Sequence, residues 1–163
     1  MRSVSFTTRP KRSKEKHAEN YFFISPREFE EKRKTKKILE WTKYLGYYYA
    51  TPKDFLGARL KEGKSVVLCL DFKGAREVKK FFPKDTVTIF ILPPSIEELR
   101  RRIERRCAKT EKQEVKRRLV LAKKELLNLR EYDYSIMNKN LIDAKKRLKE
   151  IILKEIISRH DLY

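Results

Sequence analysis

The chain has 163 residues, the size of one domain, and its 40% apolar and 11% aromatic content argues against an intrinsically disordered protein. Lysine and arginine outnumber aspartate and glutamate by 42 to 23, which gives a formal net charge of +19. Such a charge fits a polyanionic partner such as a nucleic acid, but the lysines are scattered along the chain, which favours solvated helix faces. No motif beyond charge supports a nucleic-acid partner.

Neither a disulfide nor a metal site is predicted from the cysteines. Cys69 lies in an apolar run and Cys107 in an arginine-rich helix, and two cysteines cannot by themselves complete a metal-ligand set. No stretch approaches the roughly 20 apolar residues of a membrane span, and the first residues lack the apolar core of a secretory signal. We therefore expect a cytoplasmic protein with no membrane partner.

The first 60 residues predict a small subdomain, from about residue 6 to 60. Ser25, Pro26 and Glu28 form a capping box with proline at the first helical position, and residues 51–54 repeat the cap-plus-proline pattern with Thr51 as the cap. Between these two helix starts, dense aromatic residues surround Gly46 in residues 38–51. This pattern predicts an antiparallel β-hairpin.

The remaining residues predict an α/β core. The apolar runs 66–70 and 87–92 are rich in β-branched residues, which is typical of strands covered on both faces in a parallel sheet, and residues 134–137 are a third, shorter candidate. A second capping box at Ser95 opens a helix through about Arg106, and helices follow over about 111–130 and 140–157. The last has apolar residues at helical spacing that we expect to face a core: Leu141, Ala144, Leu148, Ile151 and Ile152.

The segment SVSFTTRPKR is rich in hydroxyls and ends in Arg9 and Arg12, three residues apart. Guanidinium forks bind two oxygens at once and hydroxyls fill the remaining acceptors, so the segment suits a phosphate monoester. Taken alone, the same arginines also fit an exposed, solvated loop. Further along the chain come ENYFF, ILEWTKYLGYYYAT, LCLDFKGAREVKKFF, IFILPPSIEELRRRIERR and YDYSIMN.

In this order, from Ser3 to about Ile157, the segments resemble the guanylate kinase family. The resemblance implies a P-loop-kinase-like α/β fold: a parallel sheet flanked by helices, a small GMP-binding β-hairpin subdomain and a helical lid at about residues 103–116. It implies one guanylate kinase-like domain over residues 1–163, with its core in 61–163. It also implies ATP-dependent phosphorylation of GMP to GDP with Mg²⁺.

The resemblance also assigns roles to individual residues. Glu40 matches the carboxylate that reads guanine, whose N1–H and N2–H₂ are neighbouring donors that adenine lacks. The remaining GMP residues are Arg9, Arg12, Tyr21 and Tyr49 for the phosphate, Ser5 and Thr51 for the base, and Glu15 and Asp71 beside them. Arg102, Arg106 and Arg118 match lid arginines that stabilise the transferring phosphoryl, with Arg9 also counted as catalytic, and Asn138 matches the residue near the adenine of ATP.

The chain departs from the family pattern in four places. No G-x-x-x-x-G-K-S/T loop occurs, and only Met1 and Arg2 precede the segment that a strand, this loop and a helix precede in the family. Cys69 replaces an aspartate, Ala18 and Ala50 replace glycines, and residues 107–115 lack the usual G-T and are slightly longer. We therefore expect a truncated, inactive kinase that lacks the first strand and P-loop helix, and the missing loop argues against ATP and Mg²⁺ binding.

Two functions remain open at this point. One is guanylate kinase activity, supported by the nucleotide-contact residues. The other is a non-catalytic GMP-binding or protein-interaction module, supported by Cys69 and the missing loop. A nucleic-acid binder is a third hypothesis that rests on charge alone.

Overall fold

The computed structural model describes residues 1–106 and 112–160. Their contacts divide the chain into two compact units, Met1–Lys84 and Asp85–Tyr163. The first contains β1 (Phe6–Thr7), β2 (Phe22–Phe23), α1 (Pro26–Lys34), β3 (Ile38–Tyr44), β4 (Tyr47–Pro52), α2 (Lys53–Lys61) and α3 (Phe72–Phe81). The second contains β5 (Ile89–Leu92), α4 (Ile96–Arg106), α5 (Lys112–Leu126), a 3₁₀ turn (Leu129–Glu131), β6 (Tyr134–Met137) and α6 (Leu141–His160).

The first unit is built on a four-stranded sheet in the order β2-β1-β4-β3. Strand β1 runs parallel to β2 and antiparallel to β4, and β3 and β4 form the predicted hairpin. Its two-residue loop has positive φ at both positions, 50° at Leu45 and 87° at Gly46, as a type I′ turn requires. The hairpin prediction for residues 38–51 is therefore confirmed.

The two faces of this sheet have different environments because side chains alternate along each strand. On one face, the buried Phe29 of α1 stacks on Tyr48 at 4.5 Å and meets Trp41 edge-on at 6.0 Å. The capping box predicted at Ser25 and Glu28 starts α1 as expected. Helix α1 and its aromatic contacts therefore cover one face of the sheet, and polar side chains lie on the opposite face.

Two local predictions in the first unit are wrong. Residues 66–70 form no regular strand: Val67 makes an isolated parallel bridge to Arg2, and its side chain is 49% exposed. Backbone hydrogen bonds join Val67 to Met1 and Ser3 only, too few for a strand. Thr51 does not cap α2, because it belongs to β4; Pro52 is the N-cap, and no side chain caps the helix.

The second unit pairs β5 with β6 in parallel, from Ile89 opposite Tyr134 to Leu92 opposite Met137. These strands confirm two predicted segments, although β5 starts two residues later than expected. Ahead of them, the Thr88 backbone N–H and hydroxyl donate to Asp133 Oδ2 at 2.8 and 2.7 Å. This connection ties the two strand entries together.

Helix α6 covers the β5–β6 pair. Its Ala144 and Ile151 form a buried cluster with Ile136 of β6, and Leu148 packs against that cluster, as the helical spacing predicted. Leu141 is 61% exposed, so its predicted core position is wrong; it is the first residue of the helix and precedes Ala144, the first α6 residue in the buried cluster. The helix predicted over residues 111–130 is shorter than expected. Helix α5 ends at Leu126, and a separate 3₁₀ turn follows at Leu129–Glu131.

Among the described residues, no helix combines the length and apolar character needed to cross a bilayer.

Candidate functional site

The buried carboxylate of Glu40 is the most distinctive group on the polar face of the first sheet. Glu40 is only 5% exposed, and its Oε1 accepts a 2.6 Å hydrogen bond from the hydroxyl of the fully buried Thr51. Burial raises the pKa of Glu40, the nearby charge of Asp71 adds to the rise, and the Thr51 hydrogen bond opposes it. A buried carboxyl of this kind is costly to ionise and is therefore a candidate for ligand recognition.

Asp71 lies beside Glu40 but has a structural role of its own. It is the N-cap of α3, and its Oδ1 accepts a 2.8 Å hydrogen bond from the Gly74 backbone N–H. The helix start thereby holds Asp71 in place. Two carboxyl groups consequently lie near one another at the Glu40 end of the face.

Glu15 organises the two arginines predicted to bind phosphate. Its Oε1 accepts from Arg9 Nη2 at 2.8 Å, and its Oε2 accepts from the Arg12 backbone N–H at 2.8 Å. The Arg12 guanidinium lies 3.9 Å from the same carboxylate. The hydrogen bond from Arg9 is the main reason that the pKa of Glu15 is lowered. Glu15 therefore orients both arginines.

Aromatic side chains surround the Arg9 guanidinium. Its Cζ lies 5.7 Å from the ring centres of both Tyr21 and Phe23, and the Tyr21 and Tyr49 rings meet edge-on at 5.9 Å. Burial works to lower the pKa of Arg9, but Glu15 and then Tyr49 outweigh it, and the net shift is upward. Arg9 is thus a fixed cation with phenol groups beside it, which suits an anion.

The carboxylate and the guanidinium cluster occupy the same face of one sheet. Thr7 pairs with Tyr49 across β1 and β4, and Thr51 lies two residues further along β4, about 7 Å away at the usual strand rise. Ser5 is two residues before Thr7 and half-buried, and its carbonyl accepts from the Phe22 N–H. The face therefore fits a ligand with a donor edge at one end and an anionic group at the other.

Thr7 is a contributor that the sequence reasoning did not single out. Its buried hydroxyl donates to the Tyr48 carbonyl at 3.1 Å and accepts from the Arg9 N–H at 3.2 Å. It therefore joins the start of the arginine loop to the hairpin. The double threonine in SVSFTTRPKR was the available signal.

The predicted lid and ATP residues lie in the second unit, and local contacts are seen there for Arg102, Arg118 and Asn138. Arg102 donates to Glu98 at 2.9 Å, and Arg118 to Glu114 at 2.6 Å, both as i,i+4 helix pairs. The Asn138 N–H donates to the Leu92 carbonyl at 2.8 Å, just beyond the β5–β6 pairing. The Arg106 side chain and residues 107–111 of the predicted lid lie outside the described residues.

Two of the departures from the family pattern have clear backbone settings. Ala18 has φ 65°, in the left-handed region that favours glycine. Ala50 is buried in β4, and the positive-φ residues do not include it. Cys69, which is predicted to replace an aspartate, is exposed.

Gly63, Lys64 and Ser65 repeat the last three letters of a phosphate loop in a different setting. They follow helix α2 and precede residues 66–70, which form no regular strand, whereas a phosphate loop lies between a strand and a helix. Lys64 Nζ is paired with Glu62 at 2.7 Å. These residues therefore do not form a phosphate loop.

Comparison with known proteins agrees with the resemblance seen in the sequence. Residues 1–155 match the family model described as guanylate kinase. Guanylate kinase from Hyphomonas neptunium is 42% identical over 157 residues, covering 96% of this chain and 72% of that protein. The Caldanaerobacter subterraneus enzyme is 42% identical over 164 residues, covering 99% and 79%. The crystal structure of guanylate kinase from Anaplasma phagocytophilum aligns with TM-score 0.83 at 32% identity, covering 95% of this chain and 75% of that one.

This fold is that of the guanylate kinases, a class of α/β proteins. The chain belongs to the guanylate kinase family.

Proposed function

We propose that the first unit binds GMP and that this site serves the reaction of the guanylate kinases, the phosphorylation of GMP to GDP with ATP as donor. The observation that carries the proposal is the buried Glu40 carboxyl on the same sheet face as the Arg9–Glu15–Arg12 cluster. Family membership supports the reaction, and the face supports the ligand. A cytoplasmic location, a single domain over residues 1–163 and a GMP subdomain over about residues 6–60 are part of the same proposal.

Glu40 reads the base in this proposal. A carboxylate accepts the N1–H and N2–H₂ donors of guanine together, while Thr51 holds the other side of the group and Ser5 lies near the start of the same face. Adenine lacks this donor pair and would leave the buried carboxylate with the Thr51 hydrogen bond but without the two donors of the base. An unpaired buried group of this kind can discriminate by a factor on the order of 10⁴.

The phosphate is bound by the opposite end of the face. Arg9 and Arg12 supply guanidinium forks, and the hydroxyls of Tyr21 and Tyr49 add neutral donors. Glu15 holds Arg9 in place before the ligand arrives, so less side-chain freedom is lost on binding. Asp71 contributes through its position beside Glu40 rather than through contact with phosphate.

The transfer step assigns roles to residues of the second unit. Arg102, Arg106 and Arg118 would stabilise charge on the transferring phosphoryl, and Asn138 would lie near the adenine of ATP. Among the described residues no group of three potential metal ligands is found. Nucleotide phosphates would hold Mg²⁺ when it is bound, and the chemistry it would supply is to neutralise phosphate charge.

Calorimetric titration of GMP and AMP into the wild type and a Glu40→Ala variant tests the binding proposal. We expect the wild type to prefer GMP strongly and the variant to lose that preference, because the group that accepts the guanine donors is gone. An equal loss of affinity for both nucleotides, or no change, would refute the role of Glu40.

Turnover is tested by GMP-dependent ADP formation. Residues 1–163 contain no G-x-x-x-x-G-K-S/T loop, so a polypeptide of these residues alone should bind GMP without measurable turnover. ADP formation by that polypeptide would contradict this expectation.

The exposed Cys69, at a position where the family has aspartate, favours a second candidate function, a non-catalytic GMP-binding or interaction module.

A further inference from the structure

We propose that Gly74 is a positioning residue for base recognition, because its missing side chain leaves the space that the Glu40 carboxyl occupies. The inference rests on the proposed function for its effect on nucleotide choice. The contact itself is independent of any ligand.

The space around Gly74 is closed on the side of Glu40. A Cβ placed on Gly74 would lie 2.7 Å from Glu40 Oε2 and 3.2 Å from Glu40 Cδ, with Asp71 Oδ1 at 3.3 Å. Cβ atoms in proteins essentially never approach another heavy atom within 3.0 Å. One of the two groups would therefore have to move.

The Glu40 carboxyl has little freedom to move away. Its other oxygen is held by the Thr51 hydroxyl at 2.6 Å, and the residue is buried. Gly74 is also held, since its N–H donates to Asp71 Oδ1 at 2.8 Å in the first turn of α3. A methyl group at Gly74 would therefore displace the carboxyl from its present position.

Backbone conformation does not account for glycine at this position. Gly74 lies in helix α3, and the positive-φ glycines of the described chain are Gly46 and Gly63. Glycine weakens a helix relative to alanine, so what it contributes here is room. Gly57, in helix α2, is the matched contrast: a Cβ there would meet nothing within 4 Å.

The functional test measures the ratio of GMP to AMP affinity in Gly74→Ala. A hydrogen bond to a charged group is typically worth roughly 10- to 100-fold in affinity, so we expect GMP affinity to fall by about that factor while AMP affinity is little changed. Adding Gly74→Ala to Glu40→Ala should change the ratio no further, because the displaced group is already absent. Gly57→Ala should leave the ratio unchanged.

Thermal unfolding supplies a second test, because the effect of Gly74→Ala on the melting temperature should have opposite signs in the presence and absence of the Glu40 side chain. In the wild type, Gly74→Ala should lower the melting temperature, because the methyl group collides with Glu40. In the Glu40→Ala background the same substitution should raise it by a few degrees, because alanine favours the helix. Gly57→Ala should raise it in both backgrounds. Gly74→Ala failing to fold alone but folding with Glu40→Ala would also support the inference.

Additive effects of Gly74→Ala in the two backgrounds, or a double variant that still fails to fold, would overturn the inference. If Glu40→Ala abolishes the GMP preference and Gly74→Ala leaves it intact, the Gly74 inference alone is wrong. If Glu40→Ala leaves the preference intact, the proposed base recognition is wrong, and the effect of Gly74 on nucleotide choice is wrong with it.

Discussion

At Glu40, recognition and stability oppose each other. Burial raises the pKa of Glu40 in the folded state, so the neutral carboxyl is favoured more in the folded protein than in the unfolded chain. The stability contributed by the neutral form is fully present below the unfolded pKa and is lost as pH rises toward the folded pKa. At neutral pH an ionised Glu40 therefore costs stability and leaves a strong acceptor on the face.

Glu40→Gln should stabilise the protein at neutral pH, because it removes the charge and keeps an oxygen for the Thr51 hydroxyl. We expect a gain of about 1 kcal/mol in the free energy of unfolding at neutral pH that shrinks as pH falls toward the ordinary glutamate pKa. Urea unfolding across this pH range measures it. A loss of stability at neutral pH, or a gain that does not depend on pH, would contradict this explanation.

Glu15 should show the opposite dependence. The Arg9 hydrogen bond lowers its pKa in the folded state, so its contribution is present above the unfolded pKa and is lost as pH falls through the folded pKa. Glu15→Gln should cost about 1 kcal/mol at neutral pH, a modest value because water reaches the pair, and the cost should fade in acid. GMP affinity should fall as well, because Arg9 and Arg12 lose their common anchor.

The same urea titrations check Glu15→Gln beside Glu40→Gln. Opposite signs at neutral pH are the expected pattern. If both variants lower the free energy of unfolding equally at every pH, the different environments of the two carboxyl groups do not determine how each contributes to stability.

At the level of elements, local signals in the sequence predicted most of the first unit. The capping box at Ser25 and the hairpin around Gly46 involve residues close in sequence. Both could therefore be predicted without knowledge of the three-dimensional fold. Whether residues 66–70 form a strand depends on which distant backbone segment lies beside them. Their apolar composition does not indicate that neighbour. Thr51 fits both a helix-cap pattern and a strand pattern. In the structure it lies in the strand, where its hydroxyl donates a hydrogen bond to the buried Glu40.

The candidate site was predictable to a similar degree. The alternation of side chains along a strand places Tyr49 and Thr51 on one face once the hairpin is known. The family resemblance supplied the residues, but it did not indicate that Glu15 would anchor the arginines or that Gly74 would face Glu40. Those relations depend on loop and helix positions that only the three-dimensional structure gives.

Ala18 and Ala50, which we predict to replace family glycines, should respond differently to substitution by glycine. Ala18 has positive φ, so Ala18→Gly should relieve strain and stabilise by about 0.5–1 kcal/mol. Ala50 lies buried in a strand, so Ala50→Gly should destabilise by about 1 kcal/mol through lost packing and added freedom of the unfolded chain. Chemical denaturation of both variants measures this; changes of the same sign would show that backbone conformation is not the cause.

On the scale of the whole molecule, the structure supports the solvated interpretation of the +19 charge. Many basic side chains form short-range pairs on exposed helix faces, as in Arg33–Glu30, Arg100–Glu104 and Arg147–Glu150. Such pairs contribute little stability each, and the excess of positive charge repels itself. Nucleic-acid binding remains a hypothesis without a motif.

Added salt should therefore raise the melting temperature. Screening lengths fall to about 10 Å at 0.1 M salt, which weakens repulsion among the surplus lysines and arginines. Thermal scans in buffers of increasing sodium chloride concentration measure the effect. Tight binding of a random-sequence oligonucleotide with a steep salt dependence would instead favour the polyanion hypothesis.

A crystal structure with bound GMP tests the central claim most directly. The guanine N1 and N2 donors should lie within about 2.7–3.2 Å of the Glu40 carboxyl oxygens, with the phosphate against Arg9, Arg12, Tyr21 and Tyr49. GMP bound away from this face, or in the reversed orientation with its phosphate at the Glu40 end, would contradict the claim.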